Sequence, residues 1–205
     1  MTVQLHLNVN ILNAGVFGGS WRFPATDSLA SYRIEHYTTI AKKAEAAKLD
    51  AVFLADSPVL DPHIRHRTGN NLEPTTVLAR VAAQTEHIGL IGTLSSSYND
   101  PDEIARRLGD LDYISGGRFG WNVVTTAGAD AARNFGRAGE PDHGLRYRRG
   151  VSFLHFPAPP TPPPTAPPPS FLFYYKKKFL RTHISISSNL RRSHGHFLIL
   201  DYVFL

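Results

Sequence analysis

Cysteine is absent from all 205 residues. That excludes disulfide staples, thiolate nucleophiles and thiolate metal sites, and it leaves the redox compartment open. No stretch reaches the roughly 20 apolar residues that a helix needs to cross a bilayer. Met1-Thr2-Val3-Gln4 lacks the basic start and apolar run of a secretory signal, so a cytoplasmic protein is expected. His63 and His66, in HIRH, have no third ligand nearby, which argues against a metal centre.

Acidic residues are scarce only towards the carboxyl end. The chain has 22 Lys and Arg against 17 Asp and Glu, a net charge of +5. Six of the bases (Lys176, Lys177, Lys178, Arg181, Arg191, Arg192) and one of the acids (Asp201) lie in 151–205. Positions 1–150 therefore hold 16 of each and are neutral. A neutral body speaks against a nucleic-acid footprint.

What is present is an alternation of apolar runs with amphipathic segments. Ile88 to Leu94 is a short run rich in branched residues, the pattern of a buried strand. Asp100-Pro101 can open a helix, the carboxylate as cap and the proline in the first turn. Ile104, Leu108, Leu111 and Ile114 fall three or four apart and predict its apolar face. Ser115-Gly116-Gly117 stops it, and Phe119 to Val124 is a second strand. Strand, helix, strand in this order is a parallel crossover unit.

The same grammar extends upstream. Leu5 to Leu12 alternates as a first strand, Ala30 to Leu49 is a helix, Asp50 to Asp56 is a buried strand, and Glu73-Pro74 begins a helix ending near Thr85. Regular alternation means α/β with a parallel sheet. An open doubly wound sheet and a closed (β/α)8 barrel both fit that grammar. No G-x-G-x-x-G follows the first strand, which weakens the dinucleotide-binding option. About four βα units are half of a TIM-type barrel. After Gly150 the pattern breaks. Residues 156–169 hold nine of the fifteen prolines, and PAPPTPPPTAPPP should be extended polyproline II. The expected division is 1–150 as the barrel half and 151–205 as a proline-rich tail foreign to the fold.

Polar residues gather where the strands end, the edge that carries chemistry in such barrels. Asp56 closes the second strand, where it acts either as a loop cap or as a ligand contact. Thr93 closes the third. Asn122 sits inside the fourth, where an amide needs a partner. His143 and Tyr147 lie four apart; on a helix both share one face and both can donate to a phosphate or carbonyl. On position alone the solvent-facing helix start is the favoured reading. Arg106, Arg107 and Arg118 read as surface or helix-end charges.

At this point a family is visible. GGSWRFP, DAVFLAD, LEPTTVLARVAAQTEHIGLIGTLSSSYNDPDEIARRLGDLDYISGGRFGWNVVTT and ARNFG resemble the bacterial luciferase-like flavin monooxygenases, and more narrowly their nitrilotriacetate and dibenzothiophene-sulfone branch. SGGRFGWNVVTT with ARNFG carries the match, over roughly residues 4 to 150. The resemblance implies FMN, reduced by a separate NAD(P)H-dependent flavin reductase, and O2 as oxidant for a small organic substrate. Carried over by motif, the flavin contacts fall on Asp56, Thr93, His143 and Tyr147, with Asn122 a further neighbour of the ring. Full-length members allow a homo-oligomer. Gly144-Leu145 stand where the family usually has acids, and a later serine-bearing phosphate loop has no match in 151–205. The expectation is therefore a truncated enzyme that binds FMN poorly. Rival expectations are a non-catalytic product whose proline-rich tail docks an SH3 or WW domain, and a deazaflavin-dependent oxidoreductase of the same fold.

Overall fold

The computed structural model describes residues 6–12, 15, 17, 19–59 and 71–154. The proline-rich segment, the basic tail, and His63 and His66 lie outside these. Four strands, β1 (Asn8–Asn10), β2 (Ala51–Leu54), β3 (Gly89–Ser95) and β4 (Phe119–Val124), form one sheet. Between and after them run α1 (Ile34–Ala46), α2 (Pro74–Ala82), α3 (Pro101–Ser115), α4 (Ala129–Asn134) and α5 (His143–Leu154). Every pairing is parallel, and each strand lies beside the next in sequence. A doubly wound sheet reverses its strand order at a switch point. This one does not, and consecutive order is how a barrel wall is laid down.

One face of the sheet carries the core. Val52, Leu54, Leu90, Leu94 and Phe119 pack on Ala41, Ala44, Val77, Leu78, Val81, Ile104, Leu108 and Leu111 from the helices. Side chains alternate along a strand. Asn8, Asn10, Ile91, Thr93, Ser95 and Asn122 are therefore on the face turned from the helices. Gly92 lets α2 approach closely, since a Cβ there would lie 3.0 Å from Leu78 Cδ1.

Helix ends differ in detail from expectation. Asp100 precedes α3 but its side chain makes no cap hydrogen bond; Pro101 in the first turn and Gly116 at φ +67° delimit that helix instead. The carboxylate cap is on α2, where Glu73 accepts from the Thr75 and Thr76 amides and hydroxyls. Ile114 is 58% exposed, not on the core face of α3. Ten residues beyond Ile104 it has rotated off the stripe, and Ser115 takes the buried place. Tyr32 belongs to a separate 3-10 turn, because Arg33 at φ −112°, ψ 122° breaks the helix before Ile34. Helix α5 continues through Leu154, so Gly150 is inside it.

Lys48, just past α1, stands at φ +61°. A side chain in left-handed backbone costs about 1 kcal/mol, and glycine avoids that cost. Lys48→Gly is expected to raise stability by about that much in urea unfolding. An unchanged midpoint would show that the lysine stem is held by packing that offsets the strain.

Candidate functional site

The site grows from the strand register. Leu54 lies opposite Gly92, and Gly92 opposite Trp121. Thr93 and Asn122 are direct partners one step further on. Asp56 follows two residues after Leu54, past the same end of the sheet. All three are thus at the carboxyl edge, which is where parallel sheets present chemistry.

Thr93 is buried, and its Oγ1 accepts from Asn122 Nδ2 at 2.9 Å. The amide in mid-strand has found its partner across the ladder. The threonine proton and the amide oxygen have no other partner among the described residues, so the pair can donate and accept at once. A second pair lies just beyond: Thr126 Oγ1 donates to Ser95 Oγ at 2.8 Å. Reading the strands residue by residue missed this pair. The serine and threonine clusters that close both strands were its signal.

Asp56 is open to solvent on one side and crowded by protein on the other. Its carboxyl is held above the usual range, first by desolvation and then by the charge of Glu73, against one hydrogen bond from the Ser57 amide. A rim carboxyl with a raised pKa is a common functional device.

His143 and Tyr147 are on one helical face, their ring centroids 4.4 Å apart. Helix α5 is fastened to the same edge of the sheet. Arg146 Nη1 donates to Thr125 O at 2.6 Å, and Arg149 donates to Ser96 O and Asn99 O. Gly150 lies against Thr125 and Ser96, where a Cβ would come within 3.1 Å of the threonine methyl. Arg146 is itself ion-paired to Glu140 at 2.8 Å. The structure therefore joins Thr93 to Asn122 and His143 to Tyr147, and it places Asp56 at the same edge as the first pair. Arg106 and Arg107 are surface charges paired with Glu103, as read from the sequence. Arg118 is not: its guanidinium holds four carbonyls and the Thr85 hydroxyl at the opposite, amino-terminal edge.

A parallel sheet with its helices on one face and a polar rim at its carboxyl edge defines an α/β barrel-type enzyme scaffold. The profile of the luciferase-like monooxygenases matches residues 18–156, and the chain belongs to that family. It is 40% identical over 164 residues to nitrilotriacetate monooxygenase component A of Aminobacter aminovorans, covering 74% of this chain and 36% of that one. Its fold is similar to EDTA monooxygenase from Chelativorans sp. BNC1, with a TM-score of 0.70 at 33% identity, over 75% of this chain and 37% of that one. A riboflavin lyase solved with modified FMN and riboflavin superposes with a TM-score of 0.67 at 32% identity, over 75% and 37% of the two chains. The chain spans little more than a third of the length of these relatives.

Proposed function

We propose that this chain forms one side of an FMN site in a two-component monooxygenase. The observation that carries the reading is the Thr93–Asn122 hydrogen bond at the carboxyl edge of the sheet. Family membership and the modified FMN with which the riboflavin lyase was solved support it. The rim suits the group in chemistry. Thr93 and Asn122 offer a donor and an acceptor to the polar edge of the ring, and His143 and Tyr147 offer donors to the phosphate. Asp56 holds a carboxyl able to accept or release a proton at the same edge of the sheet. Reduced FMN supplies the electrons with which O2 oxygenates a small organic substrate. The side chains named here bind, orient and shield. A separate NAD(P)H-dependent flavin reductase in the cytoplasm delivers the reduced flavin.

The four described strands give only part of a closed rim, so the sequence as given should hold FMN weakly. Fluorescence titration is expected to give a saturable midpoint at roughly 10 μM or weaker, moved about tenfold by Asn122→Ala. Tight stoichiometric binding would show that these strands suffice. Quenching that Asn122→Ala leaves unmoved would remove the rim from the site.

A further inference from the structure

Another face of α5 carries a constellation that the flavin rim does not use. A cavity of about 480 Å³ is lined by Ser97, Arg137, Arg146, Arg148, Arg149 and Ser152, among others. Arg148, Arg149 and Ser152 recur at helical spacing and form a wall beside the His143–Tyr147 face. Arg137 comes from the turn after α4, and Ser97 from the loop after β3.

Two of the four guanidiniums are engaged. Arg146 is bound by Glu140, Pro141 O and Thr125 O. Arg149 donates to Ser96 O and Asn99 O. Arg137 and Arg148 have no carboxylate partner among the described residues; Arg137 lies over the Tyr98 ring at 5.8 Å. Against four guanidiniums stand two carboxylates, Glu140 paired with Arg146 and Asp142, which also accepts from the Leu145 amide. Positive charge around the cavity is therefore in excess.

Ser97 lines the cavity as a residue, but its hydroxyl is sealed from the solvent that fills it and is not one of its donors. The donors are the guanidinium groups, whose planar forks suit an oxygen-rich anion and match phosphate geometry.

We infer that this cavity is a binding site for a phosphate-class oxyanion, separate from the flavin rim. The volume is large for a bare ion and falls in the range of small-molecule pockets, which favours a phosphate carried on a small organic body.

The test is calorimetric titration of the full chain with inorganic phosphate at low, fixed ionic strength. Saturable binding is expected. Arg148→Gln and Arg137→Gln should each weaken it by about tenfold. Arg106→Gln removes the same charge from the exposed side of α3 and should leave the affinity unchanged. Arg137 and Arg148 are exposed, so their variants keep the fold. Equal loss in all three arginine variants would reduce the effect to net charge and overturn the site. Absence of saturation up to about 10 mM phosphate would overturn it as well. Glycerol 3-phosphate is the second arm. Tighter binding than phosphate places an organic phosphate in the cavity, and equal binding places the free ion there. Neither arm depends on FMN, so failure here and failure of the flavin reading are separate results.

Discussion

Arg118→Lys is expected to lower the melting temperature by roughly 10 °C, a loss of about 3 kcal/mol. The reason lies in residues 82–88, the turn that feeds β3. Arg118 donates to Ala82 O, Thr85 O, Thr85 Oγ1 and Ile88 O there, and to Ser115 O at the end of α3, all between 2.7 and 3.1 Å. From the other side Glu45 Oε1 accepts the Glu86, His87 and Ile88 amides at 2.9, 2.6 and 3.0 Å. One cation thus holds the carbonyls of the turn and one anion holds its amides. Burial lowers the Arg118 pKa, while the Glu45 charge supports its protonated form. A lysine ammonium is a point donor and cannot span four carbonyls and a hydroxyl spread around a planar fork. Thermal unfolding followed by circular dichroism checks the claim. A shift below about 2 °C would show that the carbonyls rehydrate at little cost. Glu45 adds a pH signature. Desolvation raises its pKa, but the three amides outweigh it and the carboxyl sits below its ordinary value. Its contribution is complete above about pH 4.3, the unfolded value, and is lost as pH falls through the lower folded value.

Much of this architecture was readable because the signals are local. Proline at the start and glycine at the end of α3 bound that helix in sequence and in space, and Phe119–Val124 is the strand its branched and aromatic residues predict. The consecutive parallel order follows from helix-length connections between apolar runs. The residues of the carboxyl-edge rim were legible in part. Asn122 is conspicuous as an amide in a strand, but the hydrogen bond that makes it a pair with Thr93 depends on register, which no single strand encodes. Arg118 reads as a surface or helix-end charge, and nothing beside Glu45 in the sequence singles it out. Their work is done through partners 30 to 43 positions away. Arg146 and Arg149 likewise act through partners 21 to 53 positions away, in the loops after β4 and β3. Long-range clamps of this kind leave no periodicity to find.

Asp56→Asn should move stability and ligand affinity in opposite directions. The Asp56 pKa is raised, chiefly by desolvation and further by Glu73, so the folded state holds this proton more tightly than the unfolded chain does. Between the unfolded value near 3.9 and the higher folded value, the native state binds more protons, and stability falls as pH rises. Above both values the penalty is complete. Asparagine carries no charge to desolvate, so the variant should gain on the parent as pH climbs through that window and keep the gain at neutral pH. Urea midpoints measured from pH 3 to 8, at about one-unit steps, read this directly. The rim reading makes the second half of the prediction. If Asp56 meets the flavin, FMN affinity should fall by about tenfold in the more stable protein, measured by ultrafiltration at neutral pH. A gain in stability with FMN retention unchanged would leave the carboxyl as a strained loop residue and strip it of a binding role. Loss of both would mean that its hydrogen bond from the Ser57 amide outweighs the cost of desolvation. Stability surrendered at a rim carboxyl, and recovered when it is neutralised, is what separates a group kept for its chemistry from one kept for the fold.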